Sequence, residues 1–460
     1  MLNIRIPDLC IRELSYSLDI LLGEFLSMAF EVKAYDSDVI EISRPDVPGK
    51  LTIDASFFNL LQNARLERES MPVLPLQSWS PLEDGIEVNL VESSIPVLYG
   101  RPGLVKNDNH LHLNFDIFGS AFFMLSRYEE LITKGRDKHD RFPATASVAF
   151  KVGVLGRPLV DEYLEILWQC FIKLWPELKR KHPISKTFVS CDVDQPFDCT
   201  VETLPRLLKT CAGDLLKRKS PQEMLKRINR YAFNKLGLYM FDRDHTFDWY
   251  MEVCEAAGLK AAFYFIPSSK ECQNGCYEIG DNKVMKLMQK IHVRGHEIGV
   301  HGSYQTYQDK QKIIQQKVLV DEALKRSGIK QKIKGNRQHY LRWDSAVTPD
   351  YLDAAGFEYD TTGSYADLPG FRYGTTKEFS MWGWQSQSKL KLKQRPLIVM
   401  ECSVISDNYM GLGYGQEAVA LLMSLKNKSL EYGGNFTLLW HNSHFRSTHD
   451  KPLFEKLLSE

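Results

Sequence analysis

From residue 184 onward, short runs rich in apolar, β-branched and aromatic residues recur at 187–190, 261–266, 297–300, 397–400 and 436–440. Runs of this length read as buried strands. Between them, apolar positions return with the 3.6-residue period of an amphipathic helix over 246–257, 282–291, 311–327 and 351–355. Ala256-Ala257-Gly258 and Ala354-Ala355-Gly356 put a glycine where a helix ends and a strand begins. Strands alternating with helices predict an α/β fold around a parallel sheet, as a barrel or a doubly wound sheet.

The first 180 residues have a different rhythm. Residues 51–54 and 86–90 alternate in strand fashion, and Arg101-Pro102-Gly103 marks a turn. Residues 116–130 carry Phe118, Ala121, Phe122, Leu125 and Tyr128 along one helical stripe, and 159–174 reads as a second amphipathic helix. The basic stretch Lys179-Arg180-Lys181-His182-Pro183 then sets a boundary, giving a smaller mixed α/β domain over 1–183 and a second domain over 184–460. Ser126, Arg127, Tyr128 and Glu129 read as a salt-bridge group on a helix surface or as a binding edge. Residues 203–237 interrupt the later alternation with a helical, base-rich insertion (Arg206, Lys209, Lys217, Arg218, Lys219, Lys226, Arg227, Arg230 and Lys235). It reads as a solvated helical face or as a patch for anionic lipid head groups or an anionic glycan carrier.

Charge narrows the function. The 460 residues hold 58 bases and 58 acids, and this balance argues against a general nucleic-acid binder. Nine cysteines, odd in number and irregularly spaced, suit reduced thiols in a reducing compartment. Cys272 and Cys276 lack the second pair that a zinc site would need. Neither a leader at Met1–Pro7 nor an apolar run of about eighteen residues is visible. The expectation is a soluble cytoplasmic protein, with peripheral membrane contact through the insertion left open.

Candidate chemistry gathers at strand ends. In Ser190-Cys191-Asp192-Val193-Asp194-Gln195-Pro196, the two acids stand two apart and project to the same side of an extended strand. Two carboxylates so close repel unless a cation or a shared proton lies between them. Such a pair suits a division of labour between metal binding and proton abstraction. In Gly295-His296-Glu297-Ile298-Gly299-Val300-His301, the histidines are five apart and face opposite sides. His301, at the strand end, is the candidate ligand and His296 the structural residue. Arg337 and Tyr340 are spaced to line a mouth, where Arg337 could orient a carboxylate through both arms of its fork. A short strand over 357–362 carries Asp360. The apolar run 436–440 delivers His441 to a strand's C-terminal end, where an imidazole can act as general acid near neutral pH.

In order and spacing, these segments over roughly residues 185 to 445 resemble the NodB-like polysaccharide deacetylases, carbohydrate esterase family 4. The resemblance implies a distorted (β/α) barrel. It also implies Asp192 as catalytic base, Asp194 and His301 as metal ligands, Arg337 as the residue that orients the base, and His441 as general acid. Gln305 falls where the family has its second histidine ligand. Asp360 falls where the family has a further acid, Leu439 where a residue lines the pocket for the acetyl methyl, and Tyr340 beside them, so all three are expected to bind substrate. The chain departs from the pattern in several places: Val193 separates the two acids, Gln305 replaces a histidine, no proline or glycine follows Arg337, no tryptophan accompanies Asp360, and Asn442 replaces an aspartate. The implied cofactor is a divalent metal, zinc first, with manganese, cobalt and nickel as alternatives. The implied substrate is an N- or O-acetylated sugar or polysaccharide intermediate, lipid- or nucleotide-linked. Residues 1–183, with the stretch Phe115 to Glu130 and Asp140-Arg141-Phe142, resemble an uncharacterised domain that precedes such deacetylases. Two other readings stand beside this one: a metal-independent hydrolase of a non-peptide C–N bond, and a non-catalytic glycan-binding protein with a degenerate site.

Overall fold

The structure is a computed structural model that describes residues 1–45, 47–181, 183–268 and 274–459. His182 of the basic stretch and Cys272 of the cysteine pair lie outside these residues. Among the described residues the first 115 supply eight strands: β1 (Leu2–Pro7), β2 (Phe30–Tyr35), β3 (Val39–Arg44), β4 (Val47–Asp54), β5 (Gln77–Trp79), β6 (Ile95–Val97), β7 (Gly100–Asn107) and β8 (His110–Phe115). Six form a mixed sheet in the order β2-β1-β3-β4-β8-β7, and β5 pairs with β6 apart from it. Leu2, Ile4 and Ile6 of β1 point into the core while Arg5 points out, the period-two pattern of a strand with one face covered.

Two expectations for this half are corrected. Residues 86–90 form no strand. Their burial alternates, with Ile86 inside and Glu87 and Asn89 outside, but the segment runs unpaired beside the helix Leu159–Leu174, where the Val91 N–H donates to Glu162 at 2.9 Å. The helix expected over 116–130 breaks at Arg127, whose φ of 54° ends Ile117–Leu125 and restarts the chain as Tyr128–Ile132. The break turns Arg127 inward. It donates to Glu129 (2.7 Å), Glu130 (2.8 Å) and the Tyr365 hydroxyl (2.9 Å), and Arg372 grips Glu130 from the other half of the chain. The expected surface group is a buried ion network between the two halves.

The remaining strands are β9 (Lys186–Val193), β10 (Ala262–Phe265), β11 (Glu297–Gly302), β12 (Gly335–Gln338), β13 (Tyr359–Asp360), β14 (Phe379–Gly383), β15 (Ser388–Gln394), β16 (Val399–Met400) and β17 (Asn435–Leu439). They form one sheet in the order β14-β15-β13-β12-β11-β10-β9-β17-β16, parallel throughout except for the β14–β15 pair. Helices Phe247–Ala256, Asn282–Val293, Lys310–Arg326, Thr348–Ala354 and Gln416–Glu431 lie between strands in the chain. All four residues of β10 are buried, as a parallel strand covered on both faces requires.

Chain connectivity forces this sheet to curl. β15 and β16 lie seven strand spacings apart, about 34 Å if the sheet were flat. Residues 395–398 alone connect them, a link that spans at most about 18 Å. Arg395 accordingly crosses the interior, its guanidinium 4.0 Å from the Phe188 ring of β9 and 3.7 Å from the Tyr359 ring of β13. The result is a curled half-barrel with β14 and β16 as its edge strands, which agrees in coarse outline with the distorted (β/α) barrel expected.

One apolar core contains residues of both sheets. Tyr16 donates to the Ser380 carbonyl, Trp384 to the Ser126 carbonyl, and Asp161 accepts from Thr375 and Thr376. The basic insertion forms two packed helices, Leu204–Leu216 and Pro221–Lys235, around Val201, Leu207 and Cys211, with Asp214 held by Arg218 and Arg227. Among the described residues no helix is long and apolar enough to cross a membrane.

Candidate metal centre

β9 ends on the acidic pair. Asp192 is buried within the strand, and Asp194 lies just beyond it. Tyr277 fixes this end, donating to the Val193 carbonyl and accepting from the Ile266 N–H, both at 2.7 Å. Gly275 lies so close that a Cβ there would come within 1.9 Å of the Asp194 carbonyl oxygen, so only glycine fits. His301 of β11 and His339, immediately after β12, approach from neighbouring strand ends. Their Nε2 atoms lie 3.3 and 3.5 Å from Asp194 Oδ1, and His301 Nε2 lies 3.6 Å from Asp192 Oδ2. Asp194, His301 and His339 each offer a donor atom within 4.8 Å of the other two.

Hydrogen bonds behind the imidazoles set their tautomers. His301 Nδ1 is 2.8 Å from the Arg337 carbonyl, which can only accept, so the proton sits on Nδ1 and the lone pair on Nε2. His339 Nδ1 is 3.3 Å from Asn274 Oδ1, an oxygen identified by the Tyr304 N–H that also donates to it. Both lone pairs are thereby directed at Asp194 Oδ1, a buried oxygen with no hydrogen-bond partner. With both imidazoles neutral this arrangement is costly unless a cation occupies it, and a charged imidazole would instead donate to Asp194. One carboxylate and two imidazoles are a donor set suited to a divalent transition metal, and these residues fit one. Burial would raise the Asp194 carboxyl, yet His339 and His301 hold it well below its usual range. Burial lowers His339, whereas at His301 the two carboxylates outweigh burial and raise the imidazole. Gln305, the expected third donor, is an exposed residue of the turn after β11, and the converging imidazole belongs to His339.

Arg337 is fully buried, over the Tyr264 ring, and donates through Nη1 to Asp192 Oδ1 and Ser190 Oγ, both at 2.9 Å, and through Nε to the Thr361 carbonyl. It holds Asp192 by a single bond instead of a two-armed fork and leaves Oδ2 facing His301. On the other flank, His441 follows β17, with Nε2 3.8 Å from Asp194 Oδ2. Its Nδ1 lies 2.6 Å from Glu401 Oε1, which also accepts from the His441 N–H and lies 2.7 Å from His444 Nδ1. Burial opposes charge on His441, but Glu401 prevails and raises it to about 10. The imidazole therefore keeps its proton at neutral pH.

Neither Glu401 nor His339 stood out in the sequence. Glu401 had a signal, an acid directly after the apolar run 397–400 at the end of a strand. Asn442, next to His441, ties this segment to the chain after β9, donating to the Gln195 and Asp244 carbonyls. Asp360 is fully buried and accepts from Asn336, the Thr362 N–H and the Thr362 hydroxyl, so it braces β12 against β13 and does not line the mouth. Leu439 is buried with Leu341, Ala366, Leu397 and Met400. The half-buried Tyr340 ring lies edge-on to His339 and tilted against His139. His296 accepts from the Ala261 N–H and pairs with Glu255, away from the centre.

Residues 2–176 match a family of unknown function (DUF7033). No curated protein matches the chain. Among solved structures, a Mycobacterium smegmatis protein described as a polysaccharide deacetylase is 14% identical, with 61% of this chain and 84% of that chain covered and a TM-score of 0.37. Puue allantoinase is 11% identical, with 60% and 83% covered and a TM-score of 0.36. The Xyl-CE4 domain of a multidomain xylanase from the hindgut metagenome of Trinervitermes trinervoides is 15% identical, with 46% and 74% covered and a TM-score of 0.25. Likenesses this low assign no activity and no residue role.

Proposed function

We propose that the chain is a metal-dependent hydrolase that removes an acetyl group from the nitrogen of an acetylated sugar. The carrying observation is the buried, unpartnered Asp194 Oδ1 facing two imidazoles whose tautomers are fixed from behind. A divalent cation on Asp194, His301 and His339, zinc in the first instance, would supply a polarised acetyl carbonyl and a water of lowered pKa. Asp192, held by Arg337, takes the proton of the attacking water. His441 carries a proton on Nε2 and gives it to the departing amine, while Glu401 orients the ring and stabilises its charge. Water adds across the C–N bond, releasing acetate and an amino sugar. The order of the motifs along the chain supports an acetylated sugar as the substrate class. The test is amine release from N-acetylglucosamine oligomers by chelator-stripped and zinc-reloaded protein. Activity should vanish on stripping and return on reloading; undiminished turnover by the stripped protein would refute the reading.

We read the insertion as the part that meets the substrate's carrier. Residues 204–241 hold nine bases and two acids in a chain of zero net charge. They also expose Leu204, Leu208, Leu216, Leu225, Leu236 and Met240 beside the exposed Lys209, Lys217 and Lys219. Apolar side chains set among lysines on short helices suit an anionic lipid surface, which supports a lipid-linked substrate.

A further inference from the structure

The turn that carries His339 is strained, and the N-terminal half holds it. Tyr340 and Leu341 have φ values of 60° and 56°. Residues with a Cβ rarely enter that region, and two in succession persist only where their surroundings impose it. Three consecutive residues from the other half of the chain reach this turn and its neighbour. Arg141 Nη1 donates to the Tyr340 carbonyl at 3.0 Å. The His139 carbonyl accepts from Arg342 Nε at 2.8 Å, its Nδ1 lies 3.1 Å from the Tyr304 hydroxyl, and its ring centroid is 4.6 Å from that of Tyr340. Asp140 accepts from the Tyr307 hydroxyl. Arg141 is itself buried and fixed, its main-chain N–H and its Nε both donating to Asp137.

We propose that Arg141 is a positioning residue of the metal centre, and that the N-terminal half completes that centre by clamping the strained turn that aims His339. The proposal rests on the reading of Asp194, His301 and His339 as cation ligands. It makes the 2–176 segment part of the site's construction. Without its 139–141 loop, the main chain at 340–341 would relax toward ordinary φ values and swing the His339 imidazole off Asp194.

The test is the zinc affinity of the full chain, measured by competition with a chromophoric chelator. Arg141→Gln should raise the dissociation constant about 10- to 100-fold, the usual effect of losing a group that orients a ligand. Arg141→Lys, which keeps a charge for Asp137 but loses the Nη1 bond to the Tyr340 carbonyl, should also weaken binding, and it serves if the Gln variant does not fold. Glycine adopts φ near 60° without penalty. In a Tyr340→Gly background, Arg141→Gln should therefore change affinity by less than about threefold. Wild-type affinity in the Arg141 variants, or an equal loss in both backgrounds, overturns the clamp. His339→Ala separates this from failure of the ligand reading: wild-type zinc affinity in that variant overturns the ligand assignment itself. Loss of zinc there with no effect at Arg141 overturns the clamp alone.

Discussion

A carboxylate oxygen buried between two imidazole nitrogens can share a proton with them, shift away or bind a cation; Tyr277 and Gly275 hold this end of β9 in place, and His339 and His301 keep Asp194 ionised. The roles then divide between residues two apart on one strand. Asp192→Asn should leave zinc content unchanged and lower turnover by about 100- to 10,000-fold, the usual range for a lost general base; metal analysis beside initial rates checks both. Glu401→Gln should keep the metal but lower turnover by at least about tenfold, because the His441 imidazolium loses its partner; an unchanged rate would remove Glu401 from the account. Legibility at this scale followed geometry. Asp192, Asp194, His301, Arg337 and His441 sit in or beside strands, where spacing alone tells which side chains share an end. His339 directly follows β12, two residues past Arg337, so alternation does place it at the same end; the motif pattern directs the third ligand to Gln305 instead. Gln305 stands where the family resemblance expects a second histidine ligand, but the chain turns after Ser303 and carries it to the surface.

Elements were legible where burial and periodicity agreed. β9, β10, β11 and β17 fell where apolar runs placed them, to within a few residues. β16 has only two residues, and its partner Glu401 stayed hidden behind it. The 86–90 segment shows the converse, an alternating pattern with no strand partner. The basic insertion carries the prediction that belongs here. The full chain should sediment with vesicles containing phosphatidylglycerol but not with pure phosphatidylcholine, and a Leu208→Ser/Leu216→Ser variant should lose that binding about tenfold or more. Equal binding by the variant, or a dimer that dissociates on those substitutions, would remove the lipid-surface reading.

At the scale of the whole molecule, the two halves share a core and a buried ion network, which a boundary drawn from composition at residue 183 could not convey. Burial would raise the Glu130 carboxyl, but Arg372 and Arg127 outweigh it and bring it from 4.5 to about 2. A depressed acid adds stability that is fully present above its unfolded value near 4.5 and is lost as pH falls through about 2. Urea melts of the parent and Glu130→Gln should therefore differ by a constant amount above about pH 5 and converge toward pH 2. At neutral pH, Glu130→Ala should cost roughly 3–5 kcal/mol, because two buried guanidinium groups lose their counter-charge. A loss under about 1 kcal/mol would show that the network does not join the halves.

The most direct measurement of the central claim is anomalous scattering at the zinc edge from crystals of the full chain grown with zinc. The account predicts one strong peak at about 2.0–2.2 Å from an Asp194 carboxylate oxygen and from Nε2 of both His301 and His339. No peak at those three side chains, or one that includes Gln305 in place of His339, would contradict it.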